Sequence, residues 1–204
     1  MPTRKPHELE IKLRIDRSGF LQGARFIATP NCDERPPEVE FDIPLLVIHN
    51  ISLPPREYGS DDVIAFFTNR LDVKKHGYFE LIADLRVSAH FFIRRDGEVI
   101  QFASCNKRAW HAGVSVWRDR IRCNDFSIGI ELEGSDDDPF TDIQYEKLAE
   151  LTRAVQEAYP IEEIVGHSDI APVRKTDPGP CFDWQKYRNM VADAESEGGG
   201  DISS

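Results

Sequence analysis

The chain has 204 residues, 40% of them hydrophobic, which is enough for one globular domain with a substantial core. Its net charge of −11 argues against nucleic-acid binding, because that binding depends on phosphate neutralisation by Lys and Arg. No apolar run approaches the roughly 20 residues that span a bilayer, so we expect no membrane partner. The cysteines, Cys32, Cys105, Cys123 and Cys181, form no C-x-x-C pair and favour reduced thiols in a cytosol.

The two ends of the chain differ in composition from its centre. Residues 1–18 are charged and weakly patterned, and residues 194–204 are polar and rich in glycine. We expect a peripheral N-terminal extension at 1–18, a single domain at 19–193 and a disordered polar tail at 194–204. The N-terminal segment has no apolar stretch of the kind found in secretory signals. These features predict a cytoplasmic protein, and we expect a monomer.

The first half of the domain predicts strands mixed with short helices. Leu45 to His49 forms an apolar run that predicts a strand. Residues 60–62 can cap a helix whose buried face includes residues 63–67. Asp96-Gly97, flanked by apolar segments, predicts a β-hairpin.

The second half predicts two strands and two helices. Residues 126–133 alternate with period two and predict a strand with one polar face. Thr141 or Asp142 is predicted to cap a long amphipathic helix that ends before Pro160. Residues 163–166 predict a short strand, and Asp183 is predicted to cap the last helix. A single-domain α/β (α+β) fold follows, with helices packed on a central mixed sheet.

The loop from Gly166 to Pro180 is the most informative segment of the chain. It holds His167, Lys175 and Asp177 together with three prolines that restrict the backbone. His and Asp are zinc ligands, and a catalytic zinc takes three protein ligands and keeps one open position. His49, at the end of its apolar strand, is the candidate for the third ligand. For either histidine alone, an ordinary strand-end histidine remains the alternative interpretation.

Three further residues have two interpretations each. Glu131 lies either on a solvated sheet face or at a site where it takes a proton from water beside a metal. Lys175 is either a surface lysine or the partner of an oxyanion that forms during amide hydrolysis. Trp110 either packs in the core or offers a flat apolar face to a sugar ring.

Six blocks of sequence together carry a family resemblance from about Gly19 to about Val191. The blocks are residues 47–55, 86–90, 93–97, 107–115, 123–134 and 166–180. They resemble the AmpD-type N-acetylmuramoyl-L-alanine amidases, a zinc amidase family that also contains a bacteriophage lysozyme and the peptidoglycan recognition proteins. The resemblance covers nearly the whole chain and implies the fold of that family.

The resemblance also implies roles for individual residues. The implied zinc ligands are His49, His167 and Asp177. The implied catalytic residues are Glu131 as the catalytic carboxylate, Lys175 as the partner of the developing oxyanion and Tyr78 as the active-site tyrosine. The implied substrate contacts are Asn50, Arg86, Trp110 and Arg122.

The activity implied by the resemblance is hydrolysis of one amide bond in a cell-wall fragment. The bond joins the lactyl group of 1,6-anhydro-N-acetylmuramic acid to the L-alanine of the stem peptide, with Zn²⁺ as cofactor, in cytosolic peptidoglycan recycling. Two other classes remain open, a non-catalytic muropeptide-binding module and a zinc peptidase that cleaves within the stem peptide. The full ligand set together with Glu131 and Lys175 favours the amidase over the binding module.

Overall fold

The computed structural model describes residues 12–39 and 42–197, with side chains described up to residue 192. In chain order the strands are β1 (Arg25–Phe26), β2 (Cys32–Glu34), β3 (Leu45–Ile51), β4 (Phe91–Ile93), β5 (Val99–Gln101), β6 (Lys107–Ala109), β7 (Val116–Trp117), β8 (Arg120–Ile121), β9 (Ser127–Glu133) and β10 (Glu163–Gly166). The helices are α1 (Asp62–Phe67), α2 (Gly77–Ile82), α3 (Asp142–Ala158), α4 (His167–Ile170) and α5 (Trp184–Glu197).

A six-stranded mixed sheet in the order β1-β5-β4-β9-β3-β10 forms the centre of the molecule. Strands β4, β9, β3 and β10 are parallel to one another, and β5 runs antiparallel to β4. Helices α3 and α5 cover one face through Leu148, Val155 and Tyr187. Helices α1 and α2 cover part of the other face through Phe67 and Phe79. The predicted mixed sheet with flanking helices is therefore confirmed.

The sequence predicts a strand with one polar face at residues 126–133 and leaves open whether that face is solvated or lies at a site. The strand is present as β9, but all of its residues are buried. A parallel strand in the middle of a sheet is normally covered on both faces, so polar residues there must find partners inside the protein. The polar alternation of β9 therefore marks an interior site.

The predicted starts of three helices are confirmed, although the capping bonds differ. Thr141 caps α3 in a capping box with Gln144, and Asp183 accepts a hydrogen bond from the backbone N–H of Lys186 at 2.9 Å. At α1 the capping position is Asp61, whose side chain makes no capping bond, while Ser60 Oγ accepts from the N–H of Asp62 at 3.1 Å.

The two ends of the described chain join the domain more closely than the sequence predicts. Leu13 and Ile15 pack against the core, and Ile15 forms a β-bridge with Leu21. Helix α5 includes residues 194–197, so it runs past the predicted domain end. The rest of the predicted extension and tail, residues 1–11 and 198–204, lies outside the described residues.

Within the described part of the chain, no helix has the length and hydrophobicity needed to cross a membrane.

Candidate metal centre and active site

Three side chains converge at the C-terminal edge of the parallel strands. His49 Nδ1 lies 2.9 Å from His167 Nδ1 and 3.1 Å from Asp177 Oδ2, and His167 Nδ1 lies 3.0 Å from the same oxygen. Ligands about 2.0–2.1 Å from a tetrahedral zinc ion lie roughly 3.3–3.4 Å apart, so the three atoms need to separate by only a few tenths of an ångström. This buried group could hold a metal ion.

The hydrogen bond on the far side of His167 shows which nitrogen carries its proton. His167 Nε2 lies 3.1 Å from the carbonyl oxygen of Ala112, which can only accept. The Nε2 atom therefore carries the hydrogen, and Nδ1 presents a lone pair to His49 and Asp177. Electron-rich atoms that face one another at this distance repel unless a cation lies between them. Two imidazoles and one carboxylate fit a zinc ion that keeps a fourth position open.

The charges at this group also favour metal binding. Burial is the main reason that the pKa of His49 falls to about 4, with a further decrease from His167 and an opposing effect of Asp177. Burial acts to raise the pKa of Asp177, but the neighbouring His167 and His49 outweigh it and lower that pKa overall. Neutral imidazole and ionised carboxylate are the forms that ligate metals.

Glu131 and Glu133 lie on the same strand and have different surroundings. Glu131 is only 8% exposed, and its Oε2 has no hydrogen-bond partner among the described residues. Glu133 accepts backbone N–H groups from Gly59 at 2.5 Å and from Arg95 at 2.9 Å. Glu133 therefore has a structural role, whereas Glu131 keeps a buried carboxylate oxygen free.

The pKa of Glu131 is raised well above the usual value for a glutamate. Burial is the largest cause, and the negative charge of Asp177 adds to it, while the positive charge of Lys175 acts in the opposite direction. A carboxylate with a raised pKa can both take and return a proton near neutral pH.

A cleft of about 580 Å³ opens beside these groups. The sequence-predicted residues that line it are Asn50, Tyr78, Glu131, His167, Lys175 and Asp177. Tyr78 and Lys175 are half-buried. Phe66, Ile82, Leu85 and Val87 form an apolar wall of the cleft. The cleft thus combines ionisable groups with apolar surface in a volume that suits a small ligand.

Asn50 lines the cleft and also ties two segments together. Its Nδ2 donates to Asp136 Oδ1 at 2.8 Å and to the carbonyl oxygen of Pro178 at 3.0 Å. Both amide protons are therefore engaged, and only the side-chain carbonyl oxygen remains for a ligand. Because Pro178 follows Asp177, Asn50 also fixes the loop that carries this carboxylate.

The structure does not bring three predicted substrate contacts to the lining of the cleft. Arg86 donates to two backbone carbonyls of its own turn, at 2.9 and 3.0 Å. Trp110 Nε1 donates to Asp33 Oδ1 at 3.1 Å, and Arg122 Nε lies 3.2 Å from Asp125 Oδ2. Each side chain has a local partner that holds it outside the lining, so a role in substrate binding stays a prediction.

Sequence reasoning missed the residues that support the metal-binding group. His111 Nδ1 lies 2.9 Å from His49 Nε2, and burial lowers the pKa of His111 well below its usual value. Arg174 Nη2 donates to the carbonyl oxygens of Ala112 and Val114 at 2.7 and 3.0 Å. These contacts join segments that are far apart in the chain, and no local pattern predicts them.

Comparison with known proteins identifies the family. Residues 40–180 match the family described as N-acetylmuramoyl-L-alanine amidase. The chain belongs to this family. It is 54% identical over 177 residues to the Escherichia coli protein named 1,6-anhydro-N-acetylmuramyl-L-alanine amidase AmpD, a match that covers 85% of this chain and 95% of that relative. The resemblance found in the sequence is thereby confirmed.

Solved structures of other amidases share this fold. A crystal structure of a selenomethionine derivative of AmpD has a TM-score of 0.82 at 54% identity, covering 85% of this chain and 97% of that one. The amidase AmiD from Escherichia coli, solved with the substrate anhydro-N-acetylmuramic acid-L-Ala-D-gamma-Glu-L-Lys, has a TM-score of 0.52 at 29% identity, covering 88% and 65%. The predicted α/β amidase fold is confirmed.

Proposed function

We propose that this amidase uses Zn²⁺ to hydrolyse the amide between the lactyl group of 1,6-anhydro-N-acetylmuramic acid and the L-alanine of the stem peptide. The observation that carries the proposal is the convergence of His49, His167 and Asp177 beside Glu131, whose Oε2 lacks a partner among the described residues. The name of the AmpD relative specifies this sugar and its amide bond to L-alanine. The structure of AmiD was solved with an anhydro-muropeptide substrate.

In this proposal His49, His167 and Asp177 hold the zinc ion. Zinc bound there supplies Lewis acidity, which lowers the pKa of a water molecule from 15.7 to about 7 and polarises a carbonyl group. Glu131 accepts a proton from the attacking water as its oxygen adds to the lactyl carbonyl carbon. Glu131 then returns that proton to the alanine nitrogen as the carbon–nitrogen bond breaks, leaving an amine and a carboxylic acid that ionises by losing the second proton of the water.

Lys175 and Tyr78 complete the proposed catalytic set. Lys175 stabilises the negative charge on the carbonyl oxygen during attack, a contribution of about 10²–10³-fold for one oxyanion partner. Both residues line the cleft that contains Glu131, which supports their assignment. The hydroxyl of Tyr78 provides a further hydrogen-bond donor at the substrate.

We propose one substrate contact inside the cleft and three outside its lining. Within the cleft, the free side-chain carbonyl oxygen of Asn50 accepts a hydrogen bond from the substrate. Arg86, Trp110 and Arg122 contact parts of the muropeptide that extend past the lining, because Arg86 and Trp110 each adjoin a residue of the cleft in the chain. Cytoplasmic peptidoglycan recycling by a monomeric enzyme is the cellular role that we propose with this activity.

One digestion separates the proposed function from its alternatives. Zinc-loaded protein is incubated with an anhydro-muropeptide, and the products are identified by mass spectrometry. We expect intact 1,6-anhydro-N-acetylmuramic acid and a peptide with a free L-alanine amine, with metal-free protein as the inactive control. Cleavage within the peptide would support the peptidase, and stoichiometric binding without cleavage would support the binding module.

A further inference from the structure

We infer that His111 is a positioning residue for His49, and that the hydroxyl of Ser127 and the carbonyl group of Cys123 fix its proton. Three hydrogen bonds in series link the carbonyl oxygen of Cys123 to the metal-binding face of His49. The inference rests on the proposed metal site and deepens it, because it assigns the residues that hold one ligand in its metal-binding tautomer.

The direction of each hydrogen bond follows from the atom that has no proton to give. Ser127 Oγ lies 2.5 Å from the carbonyl oxygen of Cys123, so the hydroxyl must donate there. The same Oγ lies 3.1 Å from His111 Nε2, and its single proton is already used. His111 Nε2 must therefore donate to Ser127, which leaves Nδ1 of the neutral ring as an acceptor.

The same logic fixes the proton of His49. His111 Nδ1 lies 2.9 Å from His49 Nε2, so His49 donates through Nε2. Its Nδ1 then carries a lone pair, and this is the atom that lies 2.9 Å from His167 Nδ1 and 3.1 Å from Asp177 Oδ2. The reverse direction would place a proton on His49 Nδ1. It would also leave Ser127 Oγ and the Cys123 oxygen facing each other without a proton.

The loop that contains His111 also supports the second histidine ligand. The carbonyl oxygen of Ala112 accepts from His167 Nε2. Asn124 Oδ1 accepts from the backbone N–H groups of His111 and Ala112, at 3.1 and 2.7 Å. One carboxamide thus holds the two adjacent residues that orient His49 and His167. The second ring N–H of a metal-ligating histidine commonly donates a hydrogen bond to a group outside the ligand set. This bond fixes the tautomer and the ring orientation of the histidine.

Close packing confines the ring of His111. His111 is 8% exposed and Ser127 is fully buried. A Cβ atom added at Gly129 would lie 2.5 Å from the His111 ring, so the imidazole rests directly on the backbone of β9. Gly129 therefore permits the close approach that joins His111 to both His49 and Ser127.

Zinc affinity in matched variants tests this role. Competition with a chelating indicator gives the affinity of the parent, Ser127→Ala, His111→Phe and His111→Gln. We expect about 10–100-fold weaker zinc binding for Ser127→Ala and His111→Phe, the usual effect of losing an outer partner. His111→Gln should restore most of the affinity, because its amide can accept from His49 and donate to Ser127.

A matched control separates this effect from a general loss of stability. Thr152→Val removes another buried hydroxyl, which lies 2.7 Å from Tyr187 Oη between α3 and α5. We expect it to lower stability and leave zinc affinity unchanged. An unchanged zinc affinity in Ser127→Ala would contradict the inference.

The tautomers can also be read directly in the unmodified protein. Long-range ¹H–¹⁵N spectra of the zinc-loaded chain should show His111 protonated at Nε2 only, with His49 protonated at Nε2 and metal-shifted at Nδ1. Protonation of His111 at Nδ1 would overturn the inference even if a variant failed to fold. A parent protein that bound no zinc would instead overturn the proposed function, so the two failures are distinguishable.

Discussion

His49 and Glu131 are register partners on the adjacent parallel strands β3 and β9. On the other side of β3, Gly166 of β10 pairs with Ile48, which places His167 next to His49. The proposed ligand His49 and the proposed base Glu131 therefore lie side by side in the sheet, and His167 follows β10 as the first residue of α4. Because these strands are buried, hydrogen bonds of the sheet set the position of the base relative to the metal-binding group.

The first prediction concerns the metal. His167→Ala should lose stoichiometric zinc, since only one imidazole and one carboxylate would remain. The loss of affinity should exceed the 10–100-fold expected for an outer partner. Elemental analysis of purified protein gives the zinc content, with His76→Ala as a control at an exposed histidine that caps α2. A full equivalent of zinc in His167→Ala would disprove the ligand assignment.

The second prediction compares the two glutamates of β9. Glu131→Gln should keep zinc and lose about 10²–10⁴-fold in kcat, because the amide cannot take a proton from water. Glu133→Gln should keep kcat and lose about 1–3 kcal/mol of stability, because its amide group cannot accept both backbone N–H groups. Measurements of turnover, zinc content and unfolding on both variants test this. Equal losses of kcat would show that the strand has only a structural role.

The third prediction concerns stability in the metal-free protein. Because the folded pKa of Glu131 lies above its unfolded value, the folded state holds the proton to higher pH. Ionisation of Glu131 therefore destabilises the fold as pH rises from about 4.3, the unfolded value, through the folded pKa. Glu131→Gln removes this penalty and should be about 1–3 kcal/mol more stable than the parent well above that range.

The measurement is denaturant unfolding in the presence of a chelator at a series of pH values. The difference between Glu131→Gln and the parent should shrink as pH falls and vanish below the unfolded pKa of the glutamate. A stability difference that does not depend on pH would show that Glu131 has the same pKa in the folded and unfolded states.

The strand β9 shows how far sequence reasoning reaches. Alternation predicts the strand and places Ser127, Gly129, Glu131 and Glu133 on one face, but it does not show what covers that face. In the structure His111 covers Ser127 and Gly129, and backbone N–H groups satisfy Glu133. The partners come from distant parts of the chain, so alternation alone does not distinguish a solvated face from an interior site.

The convergence of His49, His167 and Asp177 was partly predictable, because two of the three residues are close together in the chain. His167 and Asp177 share one proline-rich segment, and His49 lies near the end of β3, which β10 joins in parallel. The positions of Arg86 and Arg122 could not be predicted in the same way, because their contacts depend on turns and on Asp125. Residue type alone indicates what a side chain can bind, and its neighbours determine whether it is free to do so.

The fourth prediction concerns Asn50. Asn50→Asp removes both donors and places a carboxylate against Asp136 and the carbonyl oxygen of Pro178. We expect a loss of about 1–3 kcal/mol in stability, the cost of leaving a buried polar group unsatisfied. Zinc affinity should also fall, because Pro178 follows the proposed ligand Asp177. Adding Asp136→Asn should recover part of both losses, whereas no recovery would show that charge repulsion is not the cause.

The last prediction concerns Lys175. Lys175→Met should bind zinc and fold normally, because the loop is held by its backbone N–H, which donates to the carbonyl oxygen of Ala171 at 2.9 Å. Its kcat should fall about 10²–10³-fold, roughly 2.7–4 kcal/mol, since the ammonium acts on charge that develops in the transition state. A higher KM with unchanged kcat would mean that Lys175 only binds substrate.

The pH profile gives an independent check on the same variant. The positive charge of Lys175 lowers the pKa of Glu131, against the larger effect of burial. Its removal should raise that pKa further, so Glu131 stays protonated to higher pH and the acid limb of the kcat profile moves upward in pH. Lys175→Arg keeps the positive charge, so its acid limb should lie at the same pH as that of the parent. If the acid limb stays in place in Lys175→Met, either Lys175 does not act on Glu131 or Glu131 is not the base.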